Sequence, residues 1–250
     1  MSDPAARLPL LAVVFDFDGV LVDSGEFHRY TWSLAHKLVF GRELPDYETT
    51  ELLGAASREI ARHIASLSGA PERGDELYHT RLEVFHDCRR TPEFAPGARE
   101  FTAYLTRAEI PYAVVSNAPS VYVQTTCRRL SLRPIFALGL EELAGKPKPD
   151  KYPYQRAAEL LGFTEEQYAR VLVVEDSPTG ARAGIAAGMA VLGLSRRRAA
   201  VGLREAGVRW IVRDLAELLS VLHRGSSSGS SAGAAQFDES AQFDGFPGFR

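Results

Sequence analysis

Two aspartates one residue apart, Asp16 and Asp18, directly follow a continuous apolar run that ends at Phe15. Carboxylates at this spacing point the same way beyond the end of a strand, and Gly19 lets the chain turn sharply there. Paired acids suit a hard cation that prefers oxygen ligands, in particular Mg²⁺. A carboxylate can also attack phosphorus as a nucleophile and form an aspartyl phosphate. Taken alone, the pair is equally consistent with two solvated acids at a strand end.

A second acidic pair, Glu175 and Asp176, lies at the end of another apolar run that begins at Val171. Two acidic pairs at one edge of a sheet would repel each other unless a cation lay between them. An exposed acidic loop is therefore the less favoured interpretation. The two pairs together predict a cation site.

Groups that could bind an anion occur in two further places. Ser116 and Asn117 end the apolar run that begins at Tyr112, and their side chains and nearby N–H groups are what a phosphate oxygen would meet. The same dipeptide is also a common helix cap. Lys146 lies in a loop stiffened by two prolines, which could present its ammonium group at low entropic cost. Lys148, in the same loop, is interpreted as a solvated side chain.

These motifs all follow short apolar runs that alternate along the chain with amphipathic segments. Continuous apolar runs indicate strands buried on both faces. The alternation predicts an α/β fold with a doubly wound, Rossmann-like core around a parallel sheet of about five strands. Ligands bind at the carboxyl edge of such sheets, where the motifs would meet. The core is assigned to residues 1–18 and 96–224, with predicted helices at 96–107, 119–130, 150–161 and 177–188.

Residues 19–95 interrupt this rhythm and contain no convincing strand. Several amphipathic helices are indicated instead, for example at 57–67 and 76–89, where apolar residues share one face. We therefore expect a helical module of about 75 residues, inserted just after the first strand, to cover the edge of the sheet.

The order of the motifs resembles that of the haloacid-dehalogenase superfamily over roughly residues 10–222. That superfamily has Asp-x-Asp-Gly, then Ser or Thr after a second strand, then Lys, then paired acids. The matching residues here are Asp16, Asp18, Gly19, Ser116, Lys146 in Gly-Lys-Pro-x-Pro-Asp, Glu175 and Asp176.

The resemblance implies a role for each of these residues. It implies a nucleophile at Asp16 and a general acid/base at Asp18. It further implies phosphate contacts from Ser116, Asn117 and Lys146. Finally, it implies a Mg²⁺ ion whose ligands are Asp16, the Asp18 carbonyl oxygen and Asp176, with assistance from Glu175.

The helical insert resembles the cap of the subgroup that holds phosphoglycolate-phosphatase-like and β-phosphoglucomutase-like enzymes. His28 matches a histidine that, in the mutases, bonds the acid/base when the cap is shut. Arg58 ends a stretch similar to their cap loop Gly-x-Ser-Arg, whose arginine meets the second phosphate of the substrate, although this chain has one extra residue there. The residues 118–120 are closer to the phosphatase form. The expected activity is Mg²⁺-dependent hydrolysis of a sugar phosphate or a phosphorylated small acid, with phosphomutase activity as the alternative.

Composition excludes several other classes. With 29 basic and 32 acidic residues, the chain is not basic enough to indicate a nucleic-acid partner. No apolar run approaches the ~20 residues of a membrane span. Two cysteines are too few for a disulfide framework, and the first residues lack the pattern of a secretory signal. We therefore expect a cytoplasmic location.

Residues 225–250 differ in character from the rest of the chain. Residues 225–235 are almost all Gly, Ser and Ala, which predicts a flexible tether that cannot build a core. The sequence Ala-Gln-Phe-Asp then occurs at 235–238 and again at 241–244. One hypothesis is that the repeats dock into a protein partner and gain avidity from their two copies. The alternative is a terminal extension without a role.

Overall fold

The computed structural model describes residues 10–48, 52, 54–195 and 200–227. Its strands, in chain order, are β1 (Ala12–Phe15), β2 (Val22–Asp23), β3 (Glu93–Phe94), β4 (Tyr112–Val115), β5 (Ala137–Leu138), β6 (Val171–Glu175), β7 (Ala190–Leu194) and β8 (Trp210–Val212). Its α-helices are α1 (Gly25–Phe40), α2 (Ser57–Leu67), α3 (Gly74–Asp87), α4 (Ala98–Arg107), α5 (Ser120–Arg129), α6 (Tyr152–Leu160), α7 (Pro178–Ala186), α8 (Ala200–Glu205) and α9 (Leu215–Ser227).

The central sheet has six strands in the order β5-β4-β1-β6-β7-β8, and every neighbouring pair is parallel. This confirms the α/β class, with one strand more than the sequence indicates. All residues of β1, β4 and β6 are buried, because helices cover both faces of the sheet. That burial is the physical reason for their unbroken apolar runs.

Two hydrophobic clusters fill the layers on either side of the sheet. One face packs against α4, α5 and α9, where Phe15 meets Phe101 and Tyr112 edge to face at 6.0 and 5.8 Å between ring centroids. The other face packs against α6, α7 and α8 around Tyr154 and Leu203. The predicted N-cap of α7 is present, since the Ser177 hydroxyl accepts a hydrogen bond from Gly180 N at 3.0 Å.

Helices α1, α2 and α3 form a separate group, which we call the cap, around the buried side chains of Trp32, Ile64 and Leu77. The chain enters and leaves the cap through β2 and β3, which pair antiparallel with Val22 opposite Phe94. The expectation that residues 19–95 contain no strand is wrong for these two elements. Strands of two residues are too short to show any alternation of polar and apolar side chains.

The predicted tail falls largely outside the described residues. Helix α9 runs to Ser227, so residues 225–227 continue a helix although their composition assigns them to the tail. Residues 228–250, which include both Ala-Gln-Phe-Asp repeats, and residues 1–9 of the predicted core are not among the described residues. Docking of the tail to a protein partner therefore stays a prediction. Among the described residues, no helix has the length and apolar character needed to cross a membrane.

Candidate active site

The carboxyl ends of three neighbouring strands bring the sequence motifs together. Asp16 follows β1, Ser116 follows β4 and Glu175 ends β6, and β1 lies between the other two strands. The Asp16 N–H donates to the carbonyl of Val174 at 2.9 Å, which fixes the motif against the end of β6. A cavity of about 320 Å³ opens there between the sheet edge and the cap. The residues that the sequence places at the edge of the sheet thus lie together beside one cavity.

Lys148 is the buried cation of this site. Its Nζ donates to Asp16 Oδ1 at 2.6 Å, to Glu175 Oε1 at 2.7 Å and to the carbonyl of Val115 at 2.9 Å, and only 2% of the side chain is exposed. Burial on its own would lower the pKa of Lys148, but the charges of Asp16 and Glu175 raise it above the usual value. The ammonium group therefore remains charged beside Asp16.

The structure corrects the assignment of the two lysines in this loop. Lys148, interpreted from sequence as solvated, is buried, whereas Lys146 is exposed and lies 5.5 Å from the ring centroid of Tyr152. The side chain of Asn117 determines which of the two lysines points into the site. Its Oδ1 accepts from Lys148 N at 2.9 Å and its Nδ2 donates to Lys148 O at 3.0 Å, so the loop is held with Lys148 turned inward.

The side chain of Asn117 plays a different part from the one that the sequence predicts, whereas a phosphate contact from Ser116 stays a prediction that its position at the cavity allows. The Asn117 Nδ2 also donates to the carbonyl of Gly54 in the segment before α2 at 2.8 Å, so both of its hydrogens are used. A phosphate contact from Asn117 is therefore left to its main-chain N–H, and the predicted side-chain contact is corrected. In the described contacts the Ser116 hydroxyl only accepts, from Ala118 N at 3.0 Å, so its own proton is left to donate to an anion in the cavity.

Three carboxylates, those of Asp16, Glu175 and Asp176, place one oxygen each within 4.8 Å of one another. Burial, together with the charges of Asp16, Glu175 and Asp18, raises the pKa of Asp176 well above its usual range. Burial also raises the pKa of Asp16 to about 8, although Lys148 opposes the shift. Burial is the larger cause of both shifts, and the neighbouring carboxylates, whose charge one ammonium group does not balance, add to it. A hard divalent cation with oxygen ligands fits this cluster.

Glu175 contributes to the cluster mainly by holding other residues. Its Oε1 accepts from Lys148 and from the Tyr154 hydroxyl at 2.6 Å, and its Oε2 accepts from the amide and hydroxyl of Ser177 at 3.3 and 3.0 Å. Both oxygens of Glu175 are engaged in hydrogen bonds. Glu175 is therefore placed to orient Lys148, and its negative charge would help to attract a cation to the cluster. The geometry favours Asp16 and Asp176 as direct ligands. A contribution from the Asp18 carbonyl oxygen stays a prediction.

Because Gly19 has no side chain, there is room beside it for the carboxylate of Asp176. Its φ of +79° lies in the left-handed region, and a Cβ there would stand 1.9 Å from Asp176 Oδ2. Gly19→Ala should therefore displace the carboxylate and weaken Mg²⁺ binding by about tenfold or more, as measured by calorimetric titration of Mg²⁺ into the protein. Gly41→Ala is the matched control because Gly41 has a φ of +69° with nothing within 4 Å of a Cβ. Equal Mg²⁺ affinities of the two variants would contradict this role of Asp176.

Asp18 is held by two donors on a single oxygen atom. His28 Nε2 and the Tyr122 hydroxyl each lie 2.8 Å from Asp18 Oδ1, so the structure does bring the predicted His28 to Asp18. Burial on its own would raise the pKa of Asp18, but His28 and the hydroxyls of Ser24 and Tyr122 hydrogen-bond to it and lower it. Burial and the charge of Asp18 raise the pKa of Tyr122 well above its usual value, so its hydroxyl stays protonated.

A second buried cation, Arg81 of α3, faces the cavity and was not predicted. Its Nη2 donates to His28 Nδ1 at 2.7 Å, which assigns the His28 proton to Nε2, the atom facing Asp18. The guanidinium also lies 3.8 Å from the ring centroid of Trp32, and burial lowers its pKa to about 9. No carboxylate of the described residues lies within 4.0 Å of it. An anionic group in the cavity would meet this charge.

Arg58, expected at the cavity, points elsewhere. Its Nη1 lies 3.3 Å from Asp75 Oδ1 and its guanidinium is 4.4 Å from the ring centroid of Tyr78, with 43% of the side chain exposed. Arg58 is not among the residues that line the cavity. As the second residue of α2 it faces α3, so the predicted contact to a second phosphate is corrected in favour of Arg81 as the cavity-facing arginine.

Comparisons with known proteins find relatives of similar sequence and fold. The family model described as haloacid dehalogenase-like hydrolase matches residues 10–188. The chain is 32% identical over 243 residues to a β-phosphoglucomutase of Mycobacterium bovis, covering 83% of this chain and 91% of that protein. It is 30% identical over 188 residues to hexitol phosphatase A of Escherichia coli, covering 73% and 82%. A predicted phosphoglycolate phosphatase from Haemophilus somnus superposes with a TM-score of 0.71 at 20% identity, covering 85% of this chain and 97% of that one.

Proposed function

The chain belongs to the haloacid dehalogenase-like hydrolases, and we propose that it hydrolyses a small phosphate monoester through an aspartyl phosphate formed on Asp16. Membership of this family, together with its phosphatase relatives, makes it a phosphoric monoester hydrolase. The observation that carries the proposed mechanism is the 2.6 Å contact between Lys148 Nζ and Asp16 Oδ1 on the wall of the cavity.

In the proposed first step, a carboxylate oxygen of Asp16 attacks phosphorus while the bond from phosphorus to the alcohol oxygen of the substrate breaks. Asp18 donates a proton to that departing oxygen. It carries this proton on Oδ2, since Oδ1 accepts from His28 and Tyr122. The negative charge of the bound phosphoryl group would raise the pKa of Asp18 so that it holds the proton.

In the second step Asp18 removes a proton from water, the water oxygen attacks phosphorus, and the bond from phosphorus to Asp16 breaks to release phosphate. Ser116 would donate to the phosphoryl oxygens, and Lys148, whose three hydrogens are engaged by Asp16, Glu175 and the Val115 carbonyl, would supply a positive charge beside the reacting oxygen of Asp16. Mg²⁺, when bound by Asp16 and Asp176, would supply further positive charge to those oxygens.

The cap supports a sugar phosphate or a phosphorylated small acid as the substrate. The cavity is closed on the cap side by Trp32, Tyr47 and Ile60, which offer apolar surface, while Arg81 offers one positive charge. A cavity of about 320 Å³ accommodates a molecule of that size. The relative named hexitol phosphatase A agrees with a polyol or sugar skeleton. A cytoplasmic location remains part of this proposal.

Phosphate release from a panel of monoesters tests the proposal. The panel holds sugar phosphates, hexitol phosphates, phosphoglycolate and nucleotides, each assayed with Mg²⁺, after chelation, and after Mg²⁺ is restored. We expect strong release from one sugar phosphate or acid phosphate, its loss on chelation, and its recovery with Mg²⁺. Release that continues undiminished after chelation would contradict the metal dependence, and release from nucleotides alone would contradict the substrate class.

Phosphomutase activity is the second candidate, and one observation favours it. Arg81 is a cavity-facing cation without a nearby carboxylate among the described residues, which suits a substrate with a second phosphate. The β-phosphoglucomutase of Mycobacterium bovis is also among the most similar relatives. β-Glucose 1-phosphate with a trace of the 1,6-bisphosphate distinguishes the two functions. Isomerisation with little phosphate release would establish the mutase, and release without isomerisation would establish the phosphatase.

A further inference from the structure

Tyr122, a residue of the core, donates a hydrogen bond to Asp18, the proposed acid/base. Its hydroxyl lies 2.8 Å from Asp18 Oδ1, the atom that also meets His28 Nε2, and its ring is buried. We infer that Tyr122 is a positioning residue that fixes the Asp18 carboxyl group for proton transfer to and from the substrate. The inference rests on the proposed function, because it needs Asp18 to act as the acid/base.

The two donors on Asp18 Oδ1 come from different parts of the fold. His28 belongs to α1 of the cap, whereas Tyr122 belongs to α5, which packs on the sheet. The contact from Tyr122 therefore links two core residues, so one of the two donors to Asp18 does not belong to the cap. Two hydrogen bonds to one oxygen also restrict rotation of the carboxyl group. With the cap in the position that the structure shows, the general acid is held in one orientation.

The ring of Tyr122 is fixed by three aromatic neighbours. It stacks on Phe27 with 5.4 Å between ring centroids and 17° between planes, and on Phe85 at 5.0 Å and 25°. Phe17, between the two aspartates of the motif, meets it edge on at 5.7 Å. Phe27 and Phe85 belong to α1 and α3, so the cap packs onto the same ring whose hydroxyl holds Asp18. The contacts of the ring can be separated from the contact of the hydroxyl, because a phenylalanine at position 122 would keep the ring contacts and lose the hydrogen bond.

Tyr122→Phe tests the inference, with Tyr112→Phe as the matched control. Tyr112 is also a buried core tyrosine with a bonded hydroxyl, which accepts from Arg133 N at 3.0 Å, but it lies in the first position of β4, away from Asp18. Each variant is assayed with the best alkyl phosphate of the panel and with 4-nitrophenyl phosphate. The alkoxide of an alkyl phosphate needs a proton to depart, whereas 4-nitrophenolate leaves without one.

We expect Tyr122→Phe to lower the single-turnover rate of phosphoryl transfer from the alkyl phosphate about tenfold, with KM unchanged. The same rate with 4-nitrophenyl phosphate should fall much less, and Tyr112→Phe should match the wild type on both. If Tyr122 had only a structural role, the rates of phosphoryl transfer from both substrates would fall equally, and this result would overturn the inference. Wild-type rates in Tyr122→Phe would overturn it as well. If the wild type transfers no phosphoryl group from any substrate, the proposed function fails and the inference fails with it.

Discussion

Replacement of Asp16 by Asn should lower kcat/KM by at least about 10,000-fold, because a carboxamide is too weak a nucleophile to form the phosphorylated intermediate. The fold should persist, since Asn has the shape of Asp. Lys148 also keeps Glu175 and the carbonyl of Val115 as partners in this variant. Circular dichroism and the temperature of unfolding should therefore match those of the wild type to within a few degrees.

Detection of the phosphorylated intermediate tests the role of Asp16 more directly than kcat/KM does. Acid-quenched wild-type protein should carry one phosphoryl group by mass, and Asp16→Asn should carry none. Asp18→Asn is the informative contrast because its nucleophile is intact. With 4-nitrophenyl phosphate it should form the phosphorylated chain and then fail to hydrolyse it, since no base activates the water. Turnover by Asp16→Asn above a trace, with deamidation back to Asp excluded by mass, would contradict the nucleophile assignment.

Lys148→Met should lower kcat/KM about 100- to 1,000-fold, because the variant loses the preorganised positive charge beside Asp16 and the transferring phosphoryl group. Lys146→Met is the matched control. Lys146 stands two residues away with an exposed side chain, and its loss should change kcat/KM by about twofold at most. Steady-state kinetics on the same substrate decide between the lysines. A large loss in Lys146→Met with full activity in Lys148→Met would reverse the assignment made from the structure.

Stability provides a second readout of Lys148. Its removal leaves the buried Glu175 with donors from Tyr154 and Ser177 but with no cation, which should lower the free energy of unfolding by about 3–5 kcal/mol. Urea unfolding measures this change. The double variant Lys148→Met/Glu175→Gln should recover much of the lost stability while turnover stays low. Recovery of turnover together with stability would show that Lys148 only maintains the fold.

Much of the sheet and its functional edge follows directly from the sequence. The runs before Asp16, before Ser116 and through Glu175 are unbroken because each strand is buried on both faces, and parallel strands place such ends side by side. Helices such as α2, with its bounds at Ser57 and Leu67, follow from their apolar periodicity. These features depend on local pattern alone.

The choice of lysine could not be predicted in this way. Lys146 and Lys148 share one proline-stiffened loop, and the deciding contacts come from Asn117, 31 residues before Lys148 in the chain. Such a long-range hydrogen bond leaves no trace in local composition. Tyr122 was missed for the same reason, since its partner Asp18 is 104 residues away.

Arg81 differs because the sequence does contain a signal for it. It lies on the face of α3 that buries Leu77, Tyr78, Val84 and Phe85, at the i−4, i−3, i+3 and i+4 positions. A charged residue inside an apolar helical face must find a partner or a polar cavity. Arg58, chosen instead for its place in a loop pattern, pairs with the exposed carboxylate of Asp75 and is itself half exposed.

The ribbon formed by β2 and β3 has a consequence for how this protein can change over generations. Because Val22 pairs with Phe94 and Asp23 with Glu93, residues 24–92 begin and end side by side. An insertion, a deletion or a replacement of that whole segment by another helical unit would leave the two anchor points where they are, and loop closure depends only weakly on length. The residues assigned here to phosphoryl transfer lie outside the segment, except for His28, the Arg81 that holds it and the Ser24 that bonds to Asp18. Much of the cavity wall that would select the substrate is therefore encoded in one continuous stretch of sequence, and a replacement stretch would have to keep the contacts that His28 and Ser24 make to Asp18.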